Sequence, residues 1–159
     1  MFKGKGPNKA LENALKTPPP IKIKNNNMNF TDLRKDLQQM VVDAEEYAIK
    51  SIQENNDFSP YIYTEGNKLK KIITDDLEEA IETAHEIIEE DIEEETAIFV
   101  YNDYIEFKDG EITAIVLQIF DFNEDFGYSF GLGYKIKNNT IRFLNQRVFL
   151  GNIRNILIF

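Results

Sequence analysis

The sequence contains no cysteine, which excludes a disulfide scaffold, a thiol nucleophile and any cysteine-ligated metal or iron–sulfur site. It contains a single histidine, His85, so no two-histidine zinc motif can form; His85 opens the run His-Glu-Ile-Ile-Glu, with Glu89 where an HExxH motif needs its second histidine. Long apolar runs are also missing. No stretch approaches the roughly 18 residues of a membrane-spanning helix. The four lysines among the first sixteen residues have no apolar run of about 7–15 residues behind them, as a secretory signal would require. These absences together predict a soluble, cytoplasmic protein without a membrane partner.

What is present is a chain of 159 residues, 42% hydrophobic and 12% aromatic, which is enough apolar surface for one compact core. Its charge is unevenly placed. Residues 75–95 carry twelve carboxylates and no Lys or Arg, so nearly all of the formal charge of −10 belongs to one segment. Residues 1–28 hold six lysines and one glutamate. Such asymmetry steers partners and says nothing about fold.

Residues 1–28, with Gly4, Gly6, Pro7 and the triplet Pro18-Pro19-Pro20, read as a basic arm. Within it, Ile21 and Ile23 alternate with lysines as an edge strand or a linker. A single domain is expected over 29–159. Its first helix is predicted from Asn29 to Asn55, with Asn29 as cap and Asp32 three residues on, and an apolar stripe of Leu33, Leu37, Met40, Val41, Ala44, Tyr47, Ala48 and Ile52. Two short strands around Glu65-Gly66-Asn67 follow. A second helix then follows, with Thr74 as its expected cap, and buries Leu77, Ala80, Ile81, Ala84, Ile87 and Ile88, with Ile92 as a further candidate.

From Thr96 the pattern is that of strands. Turns are expected at Asn102-Asp103, Lys108 to Gly110, Asn123 to Asp125 and Asn138-Asn139, with closing strands at Val148 to Leu150 and over Ile153 to Phe159. Between Phe126 and Ile136 the period is strictly two, with Phe126, Tyr128, Phe130, Leu132, Tyr134 and Ile136 on one face and Gly127, Gly131 and Gly133 on the other. The expected class is α+β: amino-terminal helices packed on an antiparallel β-meander of about five to seven strands, both helices on one side.

Little of this spells chemistry. His85, between Glu82 and Glu86, reads as a protonated surface residue of an acidic helix or, failing that, as a general base or ligand. Residues 91–102 lack the central glycine and ligand spacing of an EF-hand loop. Gly131-Leu132-Gly133 is not followed by a helix, so it is no dinucleotide fingerprint; close packing on one sheet face explains it better. The aromatics alternate as core residues and the net charge repels phosphate, which argues against nucleic acid as a partner. No catalytic residue, cofactor or metal site is expected.

The residues Tyr101 to Tyr104, Asp109-Gly110, Ala114-Ile115, Gly127-Tyr128, Phe130, Tyr134, Phe149 and Gly151-Asn152 form a spaced pattern over roughly 96–152 that resembles a group of small, functionally unassigned bacterial α+β proteins. In that pattern Thr113 stands in place of Asp, Gln118 in place of Glu, and Leu132 with Gly133 in place of Gln and a polar residue. The resemblance implies a fold and a bacterial origin, and no activity.

The functional expectation rests on the second helix. Glu78, Glu82, Glu86 and Glu90 recur every four residues, and Glu89 and Glu93 extend the same acidic flank. Like charges at that spacing cost about 0.2–0.5 kcal/mol per pair in an isolated helix, a cost that solubility alone can justify or that a cationic surface can offset. The leading expectation is a non-enzymatic protein-binding module, of immunity or inhibitor type, that docks this helix on a basic toxin or nuclease. The alternatives are a structural or homodimerising α+β protein pairing through Ile153–Phe159, and a hydrolase.

Overall fold

A computed structural model of the chain describes residues 21–22, 28–107, 110–144 and 146–158. Most of the basic arm lies outside the described residues. Two helices, α1 (Lys35–Gln53) and α2 (Leu77–Glu90), accompany a curled sheet of strands β1 (Ile21–Lys22), β2 (Tyr61–Thr64), β3 (Lys68–Lys71), β4 (Thr96–Phe107), β5 (Gly110–Asp121), β6 (Phe126–Lys137), β7 (Thr140–Phe143) and β8 (Val148–Arg154). The main path is β3-β2-β4-β5-β6-β7, with β8 added to β6 and the two-residue β1 to β4; all pairings are antiparallel except that of β1. The class is therefore α+β with a meander, as the segregation of helical and strand patterns predicts. No helix among the described residues is long and apolar enough to cross a membrane.

The sheet is covered on both faces, and this corrects the expectation that both helices share one side. Ile98, Val100, Ile115, Leu117, Ile119, Phe130 and Leu132 pack with Leu37, Val41, Ala44 and Ala48 of α1. The residues of opposite parity, Ala97, Phe99, Tyr101, Ala114, Val116 and Phe120, pack with Ala80, Ala84 and Ile88 of α2. Because successive strand side chains point to opposite faces, a strand covered on both sides must be apolar throughout. The run Ala114–Phe120 is such a strand, buried at every position.

On the α2 face of β6 the glycines alternate with the buried aromatics of the other face. A Cβ on Gly127 would stand 2.8 Å from Ile153 and 2.9 Å from Phe120, so the missing side chain is the space those residues occupy.

Three local expectations change and one holds. The first helix begins at Lys35: Asp32 does accept from the Asn29 N–H (2.9 Å), yet it closes a 3-10 turn over Phe30–Asp32, after which Leu33 and Arg34 are extended. Asn102-Asp103 is not a turn, because β4 runs through it in register with Ile115 and Ala114. The turns at Gly66-Asn67 and Asn138-Asn139 form, with positive φ at all four residues. The carboxy-terminal segment is not a free strand: Ile153 and Arg154 finish β8 against Gly127 and Phe126, and residues 156–158 form a turn with Ile156 buried.

The buried Glu45 carboxylate and Tyr61 hydroxyl are both paired. Glu45 sits on the apolar stripe of α1 and is 1% exposed; its two carboxylate oxygens accept from Nε (3.1 Å) and Nη2 of Arg147. The Tyr61 hydroxyl donates to Ala44 O at 2.5 Å and accepts from the Ala48 N–H at 3.2 Å, anchoring β2 to the middle of α1.

Candidate functional site

The cap of α2 is Asp76 and not Thr74: the Asp76 carboxylate accepts from the Glu79 N–H at 2.8 Å, and the Thr74 hydroxyl donates to Asp76 O at 2.7 Å. With the apolar stripe turned to the sheet, helical periodicity sends Glu78, Glu82, Glu86 and Glu90 outward, and all four are exposed. Among the described residues none of these four forms an ion pair. Glu89 is exposed beside them and accepts from Arg154 at 3.4 Å. Glu93 is exposed too, but it lies past the end of the helix, in the segment leading to β4. The ridge is thus brought together as four residues in line, with Glu89 at its flank and Glu93 beyond its end.

Helix electrostatics oppose this arrangement at its carboxy-terminal end. Glu89, Glu90 and the C-cap Asp91 meet the negative end of the helix dipole, and the last turn holds no basic residue. The acidic clustering is concentrated where the local fold benefits from it least.

Beneath the ridge, His85 departs from the surface role expected of it. It faces the sheet, edge-on to the rings of Phe99 and Phe120 at centroid distances of 6.1 and 6.0 Å. The Gln118 amide nitrogen is turned to the Tyr101 hydroxyl at 3.5 Å, so the amide oxygen accepts from His85 Nε2–H at 2.7 Å. Burial holds His85 below the usual imidazole range, against the bond to Gln118; Arg154 lowers it further and Glu89 opposes. The acidic neighbours in sequence point outward and do not outweigh this desolvation. Burial also pushes the Tyr101 phenol well above its ordinary range, so at neutral pH the imidazole is uncharged and the phenol keeps its proton. The trio closes a polar gap between α2 and the sheet.

Because the folded pKa of His85 is depressed, its contribution to stability is fully present above the unfolded imidazole value of about 6.5 and is withdrawn as pH falls through its lower folded value. The wild-type melting temperature should therefore drop more steeply between about pH 7 and pH 5 than that of His85→Gln, which keeps a donor for Gln118 and loses the titration. Parallel melting curves over that range would remove His85 from the pH response.

One further titratable group stands out. Asp103, on the same strand face as Tyr101, has its carboxyl pushed up to about 6 by burial, with the Tyr104 N–H lowering it and Glu111 raising it. Among the described residues no group of three His, Asp or Glu side chains is placed to hold a metal ion.

The β5–β6 turn carries a feature that sequence reasoning missed. Phe122 and Phe126 are 60% and 51% exposed at its two ends, and the Phe122 N–H donates to Glu95 O at 2.7 Å, so the turn lies against the segment leaving α2. The strict alternation of β6 places Phe126 with the core aromatics, but at its extreme end the strand has left the cover of α1.

Compared with known protein families, with curated proteins and with solved structures, the chain matches none.

Proposed function

We propose that this chain is a non-enzymatic protein-binding module of the immunity or inhibitor type, working in the cytoplasm, that lays the acidic flank of α2 on a basic surface of a toxin or nuclease. The observation that supports it is the row Glu78, Glu82, Glu86 and Glu90, four exposed carboxylates without an ion pair among the described residues, continuing into carboxylates at the wrong end of the helix dipole. A cationic surface relieves both the like-charge crowding and the dipole clash, and the field of the segment speeds its approach.

The homodimer reading has less to stand on. Its pairing segment is occupied by β8 and the turn after it. The edge strand β3 is fully exposed and carries Lys68, Lys70 and Lys71, a composition that discourages strand addition.

The quadruple variant Glu78→Gln, Glu82→Gln, Glu86→Gln and Glu90→Gln should fold with a melting temperature close to that of wild type, since the repulsion removed along the row offsets the loss of the Glu78 charge at the positive end of the helix dipole. It should also fail to retain a basic protein from the source organism that the wild type captures at low salt and releases at high salt. Retention of the same protein by the variant, with the same salt dependence, would defeat the reading.

A further inference from the structure

We infer that the β5–β6 turn is the apolar anchor of the docking surface, and that Phe126 with the groove beside it receives a large apolar side chain from within a cationic segment of the partner protein. The inference rests on the proposed basic partner and adds where the contact is made and what chemistry it takes.

The turn is more ordered than its exposure requires. The buried Asp121 carboxylate accepts from Thr96 Oγ1 (2.5 Å), Arg34 Nη1 (3.0 Å) and the Asn123 N–H (3.0 Å). The buried Asn155 amide donates to Asp121 O and Glu124 O, both at 2.8 Å. Glu124 in turn accepts from Arg34 at 2.9 Å and from the Tyr128 hydroxyl at 2.9 Å. Turns at the tips of long hairpins are ordinarily among the least restrained parts of a fold. This one is tied to the start of α1, to β4 and to the segment after β8, and it holds two phenylalanines in water.

A pre-ordered aromatic ring loses little entropy on binding, and buried aromatics carry a large share of interface energy. Beside Phe126 lies a groove of about 390 Å³ formed with Asp125, Asn152, Ile153, Arg154 and Asn155. That is room for a side chain and its immediate backbone, and not for a folded domain.

Charge selects the occupant. The groove is lined by one carboxylate, Asp125, and one guanidinium, Arg154, and the Arg154 charge is met by Glu89 at the end of the ridge, at 3.4 Å. The apolar site is thus continuous with the acidic flank of α2. A segment with an apolar residue among lysines or arginines matches both, whereas an anionic lipid surface or a nucleic acid would be repelled.

Three synthetic peptides of equal length separate the possibilities: lysines alone, lysines with one central Leu-Trp pair, and the same Leu-Trp pair among serines. With the full-length chain isotopically labelled, the mixed peptide should shift the backbone amide signals of Phe122 to Phe126 and of Arg154. It should bind on the order of tenfold more tightly than lysines alone, and lose that advantage in Phe126→Ser. Two binding results would overturn the anchor: equal affinity of the two cationic peptides with signals at the turn unmoved, or tightest binding by the serine peptide. A concentration-dependent dimer broken by Phe126→Ser would overturn it in favour of a second copy of this chain. The quadruple glutamine variant distinguishes the two proposals: it should abolish binding of lysines alone, and if it leaves that binding intact while Phe126→Ser weakens the mixed peptide, the anchor survives and the ridge reading fails.

Discussion

Arg147→Ala is expected to cost about 3–5 kcal/mol of folding stability, the usual consequence of removing one partner of a buried ion pair. Glu45 is almost wholly enclosed between α1 and the sheet and takes two hydrogen bonds from the Arg147 guanidinium. Arg147 also lies over the Phe30 ring, 4.5 Å from its centroid, so its loss removes packing as well as charge. Even with Arg147 in place, desolvation holds the Glu45 carboxyl above the usual carboxylate range, with the arginine bonds opposing. A raised folded pKa means that the favourable contribution of Glu45 is present below its unfolded value and is lost as pH rises through the folded one. Without Arg147 the opposing interaction disappears, so the penalty in the variant should be largest at neutral pH and shrink on acidification. Urea unfolding at about pH 7 and pH 5 measures both the loss and its recovery. The double variant Glu45→Leu with Arg147→Met should regain most of the stability, because an apolar pair of similar volume replaces the ion pair without desolvating charge. If Arg147→Ala unfolds within 1 kcal/mol of wild type at neutral pH, as is typical for exposed pairs, Glu45 is not the enclosed charge described above.

Glu45 and His85 show which part of the site was legible in sequence and which was not. Glu45 stands four residues after Val41 and three before Ala48, and His85 four after Ile81 and three before Ile88; both occupy stripe positions of their helices. Residue type argued for water and spacing argued for the core. Spacing prevailed because a partner distant in sequence, Arg147 for one and Gln118 for the other, completes each hydrogen-bonding requirement. Such partners are set by tertiary pairing, which no local pattern reports.

The ridge itself needed only helical periodicity, and three of the six acidic residues singled out, Glu78, Glu82 and Glu86, lie in line within the body of α2 with Glu90 closing the row at its last position. Glu93 fell outside because the helix stops at Glu90. The aromatic turn was invisible for a different reason. Exposure of Phe122 and Phe126 depends on where the two helices stop covering the two faces of the sheet, which is a property of tertiary packing.

The placement of helices on opposite faces carries the other large prediction, Phe99→Ala. Phe99 is fully buried on the α2 face, tilted against Tyr101 at 4.9 Å between centroids and edge-on to His85. Truncating such a ring leaves a cavity that typically costs about 3–5 kcal/mol. Where the loss appears tests the architecture. In β4 the odd residues Ala97, Phe99 and Tyr101 meet α2, while Ile98 and Val100 meet α1. A cavity at Phe99 therefore loosens α2, a helix of 14 residues whose acidic ridge and uncompensated carboxy-terminal end leave it dependent on its packed face. Amide hydrogen exchange in the variant should rise first across Leu77–Glu90, with Lys35–Gln53 retaining its relative protection. Under the one-sided arrangement that the sequence pattern suggested, a cavity between the sheet and a shared helical layer would expose both helices together. Equal deprotection of α1 and α2 would thus contradict the two-faced sheet. Selective deprotection of α2 would also show that the ridge rides on the less stable helix, so that a partner binding there stabilises the element it touches, by linkage and in proportion to its saturation.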